Sequence, residues 1–225
     1  AGPDADTDAG PDPDLDAGPD AGKEPGLGAT VVAEGVVFRV WAPHATGAAV
    51  VGDFPEQSVS MSAEADGLYR ATVASAHAGS AYHFTLDTPA GKLDRLDPYC
   101  REIAAGAADC LVIDPAAYAW KSAPLARPAR SAAVVYELHV GGFNLAPGAS
   151  QGTLASARDK LADLADLGVN VVELMPVQAY GGNAAGWGYN PHLYFAPKPT
   201  YGSASDLRAF IDEAHARGSP SGSTR

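Results

Sequence analysis

Two different rhythms of apolar residues divide this chain, and the change between them, near residue 132, limits what it can fold into. Before it, apolar residues alternate in short runs. In VVFRVW (36–41), Val36, Phe38 and Val40 share one side; GLYRATV (67–73) and AYHFTLD (81–87) alternate in the same way, and a short apolar run occupies 48–51. Ala-Pro at 42–43, Asp66-Gly67 and Pro89-Ala90-Gly91 mark turns between the runs. Short strands spaced this way predict an all-β sandwich of immunoglobulin-like type over 29–118.

After residue 132 the strands lose their alternation. AVVYELHV (133–140) and VNVVELMPV (169–177) are nearly continuous apolar runs, as expected of parallel strands covered on both faces. Between them Leu154, Ala157, Leu161, Leu164 and Gly168 recur at helical spacing, with the glycine placed to end the helix. An irregular loop is expected from Gln178 to about Tyr201. The helix that follows carries Leu207, Phe210, Ile211 and Ala214 on one face, a Ser203/Asp206 capping box and a terminal Gly218. Strand, helix, strand, loop, helix is the start of a βα series. The Pro-rich stretch 119–131 is read as the connection between the two parts.

Charge is uneven. The net charge is −12, and residues 1–28 alone hold seven Asp and one Glu against one Lys. That segment repeats Ala-Gly-Pro-Asp and close variants, and lacks the apolar surface to offset its chain entropy, so a disordered acidic linker is expected. The acidic balance, with no basic cluster interleaved with aromatics, argues against nucleic acid as a partner. No apolar run reaches the length of a membrane span. The chain opens on Ala1 rather than Met, as expected of a processed or excised chain, and export or surface tethering through the acidic segment is a candidate localisation. Cys100 and Cys110 fit no zinc spacing; a disulfide between them, or two free thiols, are both open.

Several stretches taken in order carry a resemblance. FRVWAP (38–43), VVGDF (50–54), DGLYRATV (66–73), YHFTLD (82–87), LDPYCR (96–101), VVYELHVGGF (134–143), LADLGVNVVELMPV (164–177) and GWGYNPHLYFAP (186–197) resemble the α-amylase family of glycoside hydrolases. The similarity is to its glucan branching, glycogen debranching and maltooligosyltrehalose-trehalohydrolase subgroup. The resemblance implies an N-terminal β-sandwich followed by the first part, about two strands, of a (β/α)8 TIM barrel at 132–225. It implies an enzyme of the 1,4-α-glucan branching or debranching type, acting on an α-glucan polysaccharide or oligosaccharide through a covalent glycosyl intermediate, without a cofactor.

The same resemblance marks Tyr189 as an aromatic that stacks on a sugar ring, with Trp187 and Asn190 beside it. After Gly218 the chain reads SPSGSTR, whereas the family continues with a third strand and, later, its catalytic carboxylates. No catalytic residue is therefore assigned, no metal site is assigned, and a truncated form, inactive alone and with a poorly folded or chain-completed C-terminal part, is expected. Asp159, Asp163, Asp166, Asp212 and Glu213 are read as solvated helix faces. Glu137 and Glu173 are expected to point into packing or to pair with arginine. Trp41 and Trp120 are the remaining candidate sugar platforms, although GDF (52–54) continues PEQSVSM without a tryptophan; Trp41, next to Val40 in its strand, is expected to pack. Glu137 and His139 share a strand face without a third ligand, and the histidines are read as structural. The rival reading is a non-catalytic glucan-binding module on an acidic tether, using the sandwich and Tyr189 without chemistry.

Overall fold

The computed structural model describes residues 25–106, 108–122, 128–181 and 187–218. The acidic segment up to residue 24 and the SPSGSTR tail lie outside the described residues.

The alternating half builds two facing antiparallel sheets. One has the order β1-β2-β6-β5, from β1 (Gly28–Val32), β2 (Gly35–Trp41), β5 (Ser62–Ala63) and β6 (Leu68–Val73). The other has the order β4-β3-β7-β8, with β3 (Gly47–Gly52), β4 (Ser58–Ser60), β7 (Ala81–Thr88) and β8 (Gly91–Arg95), and β9 (Cys110–Leu111) added to β7. The period-two pattern sets which side chains face inward. Val36, Phe38 and Val40 from one sheet meet Val50, Tyr82 and Phe84 from the other, all buried. Phe38 and Tyr82 pack with ring centroids 4.8 Å apart.

At the edge of this core Asp97 is buried and accepts a 2.6 Å hydrogen bond from the Tyr82 hydroxyl and a 2.8 Å bond from the Tyr99 N–H. Burial pushes the Asp97 carboxyl above its ordinary value, and both hydrogen bonds oppose that rise. Cys100 and Cys110 form a disulfide, with Cα atoms 5.6 Å apart, resolving the alternatives left open by their spacing. It ties the segment after Asp97 to β9.

The second half contains a parallel pair, β10 (Val135–Leu138) and β11 (Val171–Leu174), in the register Val135↔Val171 through Leu138↔Leu174. A one-turn helix α1 (Val140–Phe143) and helices α2 (Leu154–Arg158) and α3 (Leu161–Asp166) form the crossover. The single helix expected over 154–168 is thus broken, with Asp159 and Lys160 at the break. Thr153 caps α2 through a reciprocal capping box with Ser156. Leu154, Ala157, Leu161 and Leu164 all face inward across the break, so the apolar stripe survives it.

The loop expected over 178–201 contains a hairpin, β12 (Gln178–Tyr180) with β13 (Pro191–Pro197). Its neighbours are unlike: Ala179, Leu193 and Ala196 join the core of the sandwich, whereas Tyr180 joins the core of the parallel pair. Helix α4 (Ala204–Gly218) follows, capped as expected, with the Ser203 hydroxyl and N–H both donating to Asp206 and the Asp206 N–H returning a bond to Ser203.

Three further contacts join the halves. Glu102 accepts from the N–H of Ala204, at the start of α4. Tyr99 stacks on Phe195 at 5.2 Å with an 11° interplanar angle. Asp212 reaches back to the segment before the connection, which corrects its reading as a solvated residue. It is buried, and it accepts from the hydroxyls of Tyr118 and Ser122 and from the N–H groups of Lys121 and Ser122. Burial alone would raise its carboxyl; the four donors outweigh that and hold it at about 2.

Candidate functional site

Tyr189, Trp187 and Asn190 lie together in the segment leading into β13 and all three are exposed, Trp187 at 64% and Tyr189 at 68%. Between the two aromatics Gly188 is buried with φ +85°. A Cβ there would lie 2.7 Å from the Pro176 carbonyl oxygen and 3.0 Å from the ring of Tyr180. The backbone can press against the body of the protein only because residue 188 has no side chain, and this leaves its neighbours' rings turned outward.

Beneath this segment lies a polar network that the sequence reading missed. The Tyr180 and Tyr201 hydroxyls are 2.9 Å apart, and the Tyr201 hydroxyl is 3.1 Å from Nε2 of His139. The Lys198 ammonium is buried, donates to the Tyr180 carbonyl oxygen at 3.2 Å, and sits 3.4 Å above the Tyr180 ring centroid. Burial pushes Lys198 below its ordinary value, and burial with the Tyr180 hydrogen bond pushes the Tyr201 phenol up. His139 comes from the end of β10, Tyr180 from β12, and Lys198 and Tyr201 from the turn after β13. The network therefore fixes the hairpin against the parallel pair. Its residues are polar and scattered through loops, and only their convergence in space identifies them.

Glu137 and Glu173 face each other in register on β10 and β11. Both are exposed, and neither pairs with an arginine among the described residues, contrary to the expectation of packing or arginine pairing. Asp159, Asp163 and Asp166 are exposed. Among the described residues no three His, Cys, Asp or Glu side chains gather to hold a metal, and no helix is long and apolar enough to cross a membrane.

Trp41 also departs from expectation. It is 61% exposed, on the side of β2 opposite Val36, Phe38 and Val40, and does not pack in the core. Trp120 is exposed as well, edge-on to Tyr118 at 5.0 Å.

Comparison with known proteins fits this architecture. Residues 26–100 match carbohydrate-binding module 48, the isoamylase N-terminal domain. The matched residues make up most of the sandwich. Over 201 residues the chain is 34% identical to the 1,4-α-glucan branching enzyme GlgB of Lactiplantibacillus plantarum, covering 84% of this chain and 32% of that protein. The GlgB of Corynebacterium jeikeium is 35% identical over 204 residues, covering 85% of this chain and 28% of the relative. The crystal structure of type I pullulanase from Bacillus subtilis, complexed with maltose, superposes with a TM-score of 0.74 at 27% identity, over 88% of this chain and 32% of that one. Over this span the chain is similar to the N-terminal portion of branching and debranching enzymes of the α-amylase family. It spans about a third of the length of the relatives it matches.

Proposed function

We propose that this chain is the glucan-recognising N-terminal part of an α-glucan-active glycoside hydrolase or transglycosidase of the branching or debranching type. The observation that carries the reading is the order of parts. A carbohydrate-binding sandwich leads directly into a parallel strand–helix–strand unit, along the same stretch that matches branching enzymes. In this reading β10, β11 and the helices between them are the opening of a (β/α)8 barrel. An apolar groove of about 280 Å³ beside β11, lined by Leu161, Leu164, Leu174, Phe210 and Ala214, is what a further parallel strand would cover.

Tyr189, with Trp187 and Asn190, is the sugar-contacting group. A pyranose ring presents an apolar C–H face, and an exposed aromatic plane held by a rigid backbone packs against it at little entropic cost. The Tyr201–Tyr180–His139 network supplies that rigidity. The retaining chemistry implied by the family needs two carboxyl groups about 5–5.5 Å apart, one as nucleophile and one as acid. Exposed, like-charged Glu137 and Glu173 have no environment that would divide those roles between them, so the catalytic pair is assigned to none of these residues. The domain division proposed is 1–28, 29–118, 119–131 and 132–225.

The purified chain incubated with amylose is expected to co-sediment with insoluble starch while producing neither new reducing ends nor branches. Turnover would refute the assignment of chemistry elsewhere, and failure to sediment would refute the glucan reading. The rival reading, a binding module without any chemistry, draws on the complete core of the sandwich and predicts the same sedimentation. It would be favoured if the gene encodes no barrel sequence beyond Arg225.

A further inference from the structure

The sandwich offers two outer sheet faces to a ligand, and they differ in chemistry. Outward positions on the β4-β3-β7-β8 sheet are Ser58, Val51, His83, Thr85, Asp94 and Lys92, following the register Val51↔Ser58, Val51↔His83, Thr85↔Asp94 and Asp87↔Lys92. Three of them are bonded to neighbouring carboxylates: His83 to Asp109 at 2.6 Å, Thr85 to Asp94 at 2.7 Å, Lys92 to Asp87 at 2.9 Å. None is aromatic.

The other sheet is different. Trp41 stands at the end of β2 opposite Leu68 of β6, with its ring on the outer face. One register step away, Arg39 faces Arg70 and Arg70 faces Ser62, forming a row across three strands. Glu64 links the row, accepting from Arg39 at 2.8 Å and lying 4.0 Å from Arg70.

Trp41 is also held in place. Its indole Nε1–H donates to the Asp66 carbonyl oxygen at 3.0 Å, and the next N–H, of Ala42, donates to the Gly67 carbonyl oxygen at 2.8 Å. The accepting turn is unusual, with Asp66 at φ +58° and Gly67 at φ +76°. A Cβ at Gly67 would lie 2.5 Å from Cα of Pro43, so this glycine permits the close crossing. The one polar atom of the indole is therefore satisfied by the protein, and its broad apolar face is left to water at a fixed angle.

We propose that Trp41 is a sugar-stacking platform on the outer face of the β1-β2-β6-β5 sheet, and that Glu64 and Arg70 beside it, held in line by the more buried Arg39, hydrogen-bond the hydroxyls of the same glucan chain. The site is separate from Tyr189. It rests on the reading of the chain as glucan-binding, and it names where on the sandwich that binding occurs. A flat, rigid aromatic next to fixed charged donors and acceptors suits a pyranose, whose C–H face is apolar and whose rim is polar.

The test is affinity electrophoresis of the intact chain in gels containing glycogen, comparing wild type, Trp41→Ala, Trp41→Phe and Tyr189→Ala. The expected result is retardation of the wild type, reduced retardation of Tyr189→Ala and of Trp41→Phe, and an apparent dissociation constant for Trp41→Ala raised by about tenfold or more. Equal retardation of wild type and Trp41→Ala would overturn the platform while leaving the glucan reading intact; no retardation of the wild type would overturn both. A second measurement does not depend on how Trp41→Ala folds. In a Trp120→Phe/Trp187→Phe chain, where Trp41 is the remaining tryptophan, maltoheptaose is expected to shift the emission saturably. An unchanged spectrum at saturating sugar would overturn the proposal.

Discussion

The carboxylate of Asp212 on α4 accepts a 2.8 Å hydrogen bond from the hydroxyl of Tyr118, a residue 94 positions earlier in the chain. With the two Ser122 donors and the Lys121 N–H, this contact pins the end of the sandwich to the last described helix, across the Pro-rich connection.

Because those donors hold the Asp212 carboxyl at about 2, below its ordinary value near 3.8, the contact stabilises the fold fully above pH 4. That contribution is lost as pH falls from about 4 through about 2. Asp212→Asn should lower the melting temperature by several degrees at neutral pH. It should also remove the part of the pH dependence that lies in this window, as read by thermal melts from pH 5 down to 1.5. Matching pH profiles for variant and wild type would contradict the assignment.

The Cys100–Cys110 disulfide closes a short loop next to the contacts of Tyr99 and Glu102 with the second half. Its removal should cost about 2–4 kcal/mol, mostly by releasing the unfolded chain. Denaturant melts of the Cys100→Ser/Cys110→Ser chain against wild type measure this. A midpoint unmoved by the double substitution would show that the bridge adds nothing to stability.

Gly188 and Tyr189 should separate stability from binding. Gly188→Ala forces a side chain into a left-handed backbone position and against Pro176, at a cost of about 1–3 kcal/mol. Tyr189→Ala removes an exposed ring and should leave the melting temperature within a degree or so of wild type, while weakening retention on insoluble starch. Starch sedimentation and melting curves on the same samples check both. A Tyr189→Ala chain that melts early would mean that the ring is structural.

Strands β2, β6 and β7 were legible because their core-facing residues recur with period two, and β3 because it is a short apolar run. The short edge strands β4, β5, β8 and β9 were not: at two to five residues they carry too little pattern, and Gly91–Arg95 is exposed throughout. The break between α2 and α3 left the apolar stripe intact, so periodicity alone could not reveal it. The parallel pair was readable from its continuous apolar runs. Residue spacing could point to Tyr189 only through the family resemblance, and it did not reveal the His139–Tyr201–Tyr180 network, whose members are brought together by the hairpin. Trp41 was misjudged because its neighbour Val40 is buried, and adjacent positions on a strand point to opposite faces.

Isothermal titration of the intact 225-residue chain with maltoheptaose, beside cellohexaose as a β-linked control, tests the central claim most directly. Saturable binding of the α-linked oligosaccharide, with little or none of the β-linked one, is the predicted result. Absence of binding to maltoheptaose at millimolar concentration, or equal binding of both sugars, would contradict the account.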